Sequence, residues 1–170
     1  MTAEAETLFA QHYLPLVRYL CRAVGRPDIA KDLAQDVFLR ISRTVVPQAS
    51  RGEVQAWVFR IARNLVIDYH RQRQRTPLVV PITTGARSAS QDVVLAVNEA
   101  LAALADIDRD VFLMREVAGL SYDEIAGACD LTVDAVRSRI HRARLRLRED
   151  LAAPIATHRT STMKQSGRRP

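Results

Sequence analysis

Cysteine is scarce in this chain of 170 residues: Cys21 and Cys129 stand far apart and in no CxxC pair, which argues against a disulfide framework or a thiolate zinc site. His12, His70, His141 and His158 have no metal-ligand spacing with one another or with the cysteines, so neither a metal nor a cofactor is expected. Paired catalytic carboxylates, an HxxxH helix and a glycine-rich phosphate loop are all missing, which disfavours an enzyme, a nuclease for example, and no small-molecule substrate is expected. No uninterrupted apolar run approaches the roughly 18–20 residues that span a bilayer. The N-terminal MTAEAETLF is acidic and lacks the layout of a signal peptide, so a cytoplasmic protein is expected. Aromatics make up only 5% of the chain, and Ala, Leu, Val and Arg dominate, a composition that favours helix over sheet.

What the chain does have is apolar residues at 48%, enough for a core, and a net charge of +6 that suits a polyanionic partner. That charge is unevenly spread. Residues 1–40 are neutral, 41–75 carry +5, 76–132 carry −6, 133–150 carry +3 and 151–170 carry +4. Two basic blocks flanking an acidic middle point to two nucleic-acid contacts on two modules.

Leu8, Phe9, Tyr13, Leu16, Val17, Leu20 and Val24 recur at helical steps until Gly25-Arg26-Pro27-Asp28 ends the run. Ile29, Leu33, Val37, Phe38 and Ile41 line a second helix, with Lys31, Asp32, Gln35, Asp36 and Arg40 left for its other faces. Residues 47–52 (PQASRG) read as a loop, and a third helix from Val54 to about Arg73 carries Trp57, Val58, Ile61, Leu65 and Tyr69 on its apolar side. Residues 76–91, with Pro77, Pro81, Gly85 and Ser/Thr, read as a linker, although LVVPI within them suits a short docking segment. Helices are expected at 93–104, 108–118, 122–129 and 133–151. The last twenty residues, basic and without an apolar period, are expected to be disordered.

The segment 121–148 is a helix-turn-helix. Ser121 is placed to cap a short helix with Asp123 and Glu124 in its first turn, whose inward face is Ile125, Ala126 and Cys129. Asp130-Leu131-Thr132 supplies the turn, a buried leucine and the next N-cap. Val133, Val136, Ile140, Ala143 and Leu147 form the buried stripe of the second helix, opposite Asp134, Ser138 and Arg142 and beside Arg137, His141 and Arg144. Arginines on the exposed N-terminal half of such a helix suit the major groove, where each bidentate pair with guanine adds roughly 1–3 kcal/mol of discrimination. Asp106, Asp108 and Asp110 alternate beside a helix start; capping and solvation account for them better than a metal does.

The string GLSYDEIAGACDLTVDAVRSRIHRARLRL resembles region four of bacterial sigma factors of the extracytoplasmic-function (ECF) type. DLAQDVFLRI followed by AWVFRIARNLVIDYHRQR resembles their region two. The resemblance spans about residues 8–75 and 93–150. It implies an all-α fold of two small helical domains joined by a flexible linker: region 2 at 1–75, linker at 76–92, region 4 at 93–151 and a basic disordered tail at 152–170. It implies core RNA polymerase (β′ clamp helices and β flap) and promoter DNA as partners, with an anti-sigma protein as a further one. By residue, it assigns Asp32, Gln35, Asp36, Leu39 and Arg40 to the polymerase β′ clamp helices. Asn64 and the loop 47–52 then surround a flipped −10 base, with Arg60, Arg63, Arg71 and Arg73 drawing the strand backbone. Trp57 suits base stacking, though its spacing favours a core anchor. The −35 contacts fall on Arg115, Tyr122, Arg137, Ser138, His141 and Arg142, with Arg115 better placed for phosphate and His141 equally well read as a plain surface residue.

Two departures from the family pattern stand out. Asp130 replaces a frequent glycine at the turn, and Asp134-Ala135 replaces a frequent Gly-Thr. Aspartate tolerates left-handed backbone, so the turn should survive, whereas Asp134 on the DNA side should repel phosphate. The competing reading is a stand-alone helix-turn-helix regulator, which leaves the basic third helix unexplained.

Overall fold

The computed structural model describes residues 3–44, 47, 49–75 and 89–152, and seven helices account for nearly all of them. The expected linker lies almost wholly outside these residues, as does nearly all of the expected tail. The helices are α1 (Ala3–Val24), α2 (Pro27–Ser42), α3 (Arg51–Arg75), α4 (Ala89–Ala102), α5 (Asp106–Glu116), α6 (Tyr122–Cys129) and α7 (Val133–Ala152). No strand occurs among the described residues, as an all-α chain requires.

Local chemistry explains most of the boundaries. Gly25 takes a left-handed φ of 69° and its N–H bonds back to the Cys21 carbonyl at 3.0 Å, closing α1. Pro27, with φ already set for a helix and no N–H to lose, opens α2. The expected loop 47–52 is shorter than its composition suggests, because Arg51 and Gly52 already belong to α3. The cause is a reciprocal cap: Glu53 Oε2 accepts from the Ser50 N–H at 2.9 Å, and Ser50 Oγ accepts from the Glu53 N–H at 3.4 Å. At the other edge of the linker, α4 starts at Ala89, so Gln91 is helical as well.

The N-terminal bundle packs α1, α2 and α3 together, and the C-terminal group packs α4, α5 and α6 around α7. Tyr19, Leu16, Leu20, Val37, Ile41, Val58 and Phe59 fill the first; Val111, Leu113, Met114, Leu120, Ile125, Val136 and Ile140 fill the second. On α3 the buried face centres on Val58, Phe59, Ala62 and Val66, while Trp57, Ile61 and Tyr69 sit half-buried at its rim. The face therefore lies further round the helix than Trp57 and Tyr69 alone suggest, with Phe59 at its centre.

The two halves are not separate beads. The buried apolar residues of both form one continuous cluster, with α6 against α3 and α5 against α1. A Cβ placed on Gly127 would stand 3.0 Å from that of Ala56, and one on Gly52 would stand 3.5 Å from Glu124 Oε1. Two small residues thus let α6 approach α3 closely. Across the same junction the Arg60 guanidinium donates to the Gly127 carbonyl. Arg63 Nε donates to Asp110 Oδ2 at 2.9 Å, and the Tyr19 hydroxyl donates to Asp110 Oδ1 at 3.3 Å.

That junction corrects the reading of the three aspartates as capping and solvated groups. Asp106 fits it, exposed and paired with Arg109 at 2.8 Å. Asp108 instead holds Arg139 at 2.7 Å. Asp110 is 2% exposed and lies at the centre of the molecule; burial pushes its carboxyl above the usual range, with Arg63 opposing that shift. No cluster of three or more His, Cys, Asp or Glu able to hold a metal occurs among the described residues.

Candidate nucleic-acid interface

The helix-turn-helix forms by strong local rules. Ser121 Oγ accepts from the Glu124 N–H at 3.2 Å and Glu124 Oε2 accepts from the Ser121 N–H at 2.7 Å, a complete capping box. Asp130 closes α6 at φ 56° and ψ 50°, the left-handed geometry expected of it. Thr132 Oγ1 then accepts from the Ala135 N–H at 3.2 Å and starts α7. Val136, Ile140, Ala143 and Leu147 are buried as the stripe requires, whereas Val133 and Leu131 are only half-buried.

Buried on that stripe, α7 turns Asp134, Arg137, Ser138, His141 and Arg142 to solvent on one surface. Arg137 is not loose. Its guanidinium lies 5.7 Å from the Tyr122 ring centroid and pairs with Asp134 at 3.0 Å. The other cation against Tyr122 is Arg115, at 5.0 Å, which also donates to the Leu120 carbonyl at 2.7 Å. Asp134 therefore confronts an arginine before it confronts a phosphate, and part of its expected repulsion is already neutralised. Arg142 lies 3.7 Å from Asp108, with its side chain 57% exposed. Arg144 pairs with Glu116 at 2.6 Å.

The second site lies on the N-terminal bundle. Arg40, Arg43, Thr44, Trp57, Ile61 and Asn64 line an open cleft of about 350 Å³ between the end of α2 and the middle of α3. Trp57 is half-buried, packed against the core and also among the residues that line the cleft. Asp32, Gln35, Asp36, Leu39 and Arg40 are all exposed along one side of α2, at the i, i+3/i+4, i+7 spacing of a single helical face. Leu39, an apolar side chain 51% exposed, sits among those charges. Arg40 belongs to both surfaces, so the α2 face runs directly into the cleft.

The four arginines expected along α3 divide. Arg71 and Arg73 are exposed, the latter donating to the Tyr69 hydroxyl at 3.4 Å. Arg60 and Arg63 are engaged by Gly127 and Asp110 in the junction between the halves. Sequence reading missed Arg43 and Thr44 in the cleft and Arg139 beside Asp108. The first two follow the end of α2, where periodicity stops, although Thr44 is fixed by its hydroxyl donating to the Arg40 carbonyl at 2.8 Å. Arg139 points toward α5 and only packing could reveal its partner.

The profile of Sigma-70 region 2 matches residues 8–76 and that of Sigma-70, region 4 matches residues 95–147. The ECF RNA polymerase sigma factor SigD of Mycobacterium tuberculosis is 32% identical over 155 residues, covering 82% of this chain and 73% of that protein. The chain belongs to the ECF sigma factors. RNA polymerase sigma factor YlaC of Bacillus subtilis is 26% identical over 86% of the chain and 91% of its own length. Among solved structures, CnrH in complex with the cytosolic domain of CnrY aligns with a TM-score of 0.68 at 28% identity, covering 88% of each chain. RpoE from Bartonella quintana, in complex with the anti-sigma factor NepR, has the same fold at 23% identity and a TM-score of 0.64, over 90% of this chain and 99% of that one.

As a sigma factor the chain acts with RNA polymerase in promoter-directed transcription initiation, and the stand-alone regulator is set aside, since both sigma regions occur in order. No helix among the described residues of this sigma factor is long and apolar enough to cross a membrane.

Proposed function

We propose that the exposed α2 face, the cleft beside it and the outer surface of α7 are the three working surfaces of this sigma factor. Asp32, Gln35, Asp36, Leu39 and Arg40 dock on the β′ clamp helices of core polymerase. The cleft around Asn64 and Trp57 takes a base unstacked from the −10 element, a step that costs a few kcal/mol and so needs a preformed pocket. Arg71 and Arg73 draw the strand backbone past it. Arg137, Ser138, His141 and Arg142 meet the −35 element in the major groove, with Arg115 and Tyr122 at the edge, and the C-terminal group rests on the β flap. The region boundaries at 75, 92 and 151 follow from this division.

One observation carries the reading: Arg40 is common to the docking face and the cleft. A surface that binds polymerase and runs without a break into a base-sized polar pocket is what a promoter-melting subunit needs. A dimeric duplex-binding regulator has no use for it. On this reading the chain is cytoplasmic and non-catalytic, lending specificity to the enzyme it joins. An anti-sigma protein that covers these faces is a further partner, in keeping with a relative, CnrH, held by the cytosolic domain of CnrY.

Run-off transcription with purified core polymerase on fragmented genomic DNA, with sequencing of the transcript 5′ ends, tests it. Start sites that share upstream −10 and −35 motifs only when this chain is added support the proposal. Duplex binding without polymerase, and no shared start-site motif, would overturn it.

A further inference from the structure

Each arginine of α7 from Arg137 to Arg146 faces a carboxylate, but the pairs are of unequal kinds. Arg137 with Asp134 and Arg146 with Asp150 are pairs between neighbouring turns of α7 itself, with the arginines exposed. Arg144 reaches across to Glu116, again with its side chain largely in water. Such pairs are weak and screened, and a phosphate or a water readily replaces the acid. Asp108 differs. Its side chain is 17% exposed, and one oxygen serves two arginines: Oδ1 accepts from Arg139 Nη1 at 2.7 Å and stands 3.7 Å from Arg142 Nη2.

Arg139 and Arg142 are three residues apart, so they are neighbours on one side of α7 and would repel each other if left alone. A carboxylate between them removes that repulsion. Its place is set by two rigid elements, because Asp108 lies in the first turn of α5 and α5 packs along α7. The start of a helix also favours a negative charge there. Arg139 is tied down by a hydrogen bond in a half-buried setting, whereas Arg142 keeps its guanidinium toward solvent. At 3.7 Å the contact with Arg142 is electrostatic, so it spends none of the five N–H donors of that guanidinium.

Two consequences follow for DNA. Reading guanine demands that the planar fork of an arginine arrive in one orientation, and a long free side chain must give up rotamer freedom to do so. A fixed charge beside Arg142 narrows its range before DNA arrives, as a supporting residue does for any recognition group. The same charge brings the sum for Asp108, Arg139 and Arg142 to +1 instead of +2, which lessens attraction to phosphate of any sequence.

We propose that Asp108 is a positioning residue for −35 recognition: acting through Arg142, it raises discrimination between base pairs and lowers sequence-independent binding. The inference rests on the base-reading role proposed above for Arg142.

Asp108→Asn keeps the size of the side chain and removes its charge. Competition binding by the polymerase holoenzyme, on a promoter found by run-off transcription and on its single-base −35 variants, reads both effects. At the base pair where Arg142→Ala loses discrimination, Asp108→Asn should lose about fivefold as well. Binding to a promoter-free fragment should be equal or stronger, and the salt dependence on the promoter steeper by up to about one unit of log–log slope. In an Arg142→Ala background, Asp108→Asn should cost nothing further at that base pair. Undiminished discrimination in the single variant, or an equal loss in both backgrounds, overturns the proposal. A fall in specific and non-specific binding together, with a lowered thermal midpoint, makes Asp108 a merely structural residue and overturns it too. Arg139→Met leaves Asp108 in place with Arg142 alone to hold, so promoter binding should weaken and its salt slope become shallower; a steeper or unchanged slope counts against the shared carboxylate. Arg142→Ala that alters no base preference would defeat the base-reading role and the proposal with it, a pattern distinct from failure of Asp108→Asn alone.

Discussion

Replacing Arg63 with methionine removes a charge and keeps most of the stem that packs between α3 and α5. The partner left behind, Asp110, has a side chain only 3% exposed, and its remaining bond is a long one of 3.3 Å from the Tyr19 hydroxyl. Breaking one side of a buried pair costs about 3–5 kcal/mol. Because the Arg63 side chain is itself 21% exposed and the Tyr19 bond survives, the lower end applies, about 3 kcal/mol. The cost must also depend on pH. Burial already raises the Asp110 carboxyl above its usual value of 3.8, and Arg63 is the main influence lowering it, so the variant raises it further. A carboxyl whose folded value is raised contributes stability at low pH that is lost as pH rises from the usual value through the folded one. The deficit of Arg63→Met relative to wild type should therefore be largest at about pH 7.5 and smaller at about pH 5. Urea unfolding followed by circular dichroism at both pH values measures it, with Arg63→Met/Asp110→Asn as the control that removes the buried charge and recovers much of the loss. A deficit equal at the two pH values, or none at either, would refute the claim that an uncompensated carboxylate is the cause.

Three further outcomes follow from the geometry. Arg142→Ala should weaken −35 recognition by roughly 1–3 kcal/mol if the side chain reads a base; competition binding by the polymerase holoenzyme against single-base promoter variants measures it, and equal loss on every sequence would make it a phosphate contact. Asp36→Lys, on the exposed face of α2, should impair association with core polymerase while leaving the thermal midpoint unchanged, and unaltered co-elution with core would remove that face from the docking surface. His12 is 2% exposed, its Nε2 has no partner, and burial with Arg51 nearby holds its imidazole below the usual 6.5 against the pull of Glu124. The unfolded chain then takes up a proton that the folded chain refuses, so wild-type stability should fall as pH drops below about 6.5, whereas His12→Met should lack that slope; parallel urea midpoints across the range would contradict it.

Much of this was legible in the sequence, and what was hidden shares a physical character. The caps and turns of the helix-turn-helix depend on neighbours three or four residues away, so Ser121, Asp130 and Thr132 announce their roles locally. The α2 face was equally plain, because exposed charges alternate with the buried Leu33, Ala34, Val37 and Phe38. The start of α3 carried a readable Ser50–Glu53 signal that the surrounding PQASRG composition obscured. The junction was of another kind. Ala56 and Gly127 are unremarkable in any helical pattern, and their meaning lies only in what they allow to approach. Arg60 and Arg63 count as basic residues for DNA in any charge map, and Asp110 counts as a solvated acid among its alternating neighbours. Only packing shows that they spend their charge on one another and on a carbonyl. The cleft was legible at Asn64 but not at Arg43 or Thr44, which the fold brings to it from the end of another helix.

The contacts of Gly52 with Glu124 and of Ala56 with Gly127 also mean that α3 and α6 run in the same direction where they touch. Their peptide dipoles are therefore aligned side by side, and two helix starts, each equivalent to roughly half a positive charge, are brought together. Left bare, those ends would repel. Each one carries a glutamate three residues past its cap, Glu53 on α3 and Glu124 on α6, turned back to accept from the N–H of the cap residue, Ser50 or Ser121. The two capping boxes thus form a single electrostatic unit. Besides starting two helices, they discharge the shared end at which the halves of the molecule meet, beside the buried ring of His12.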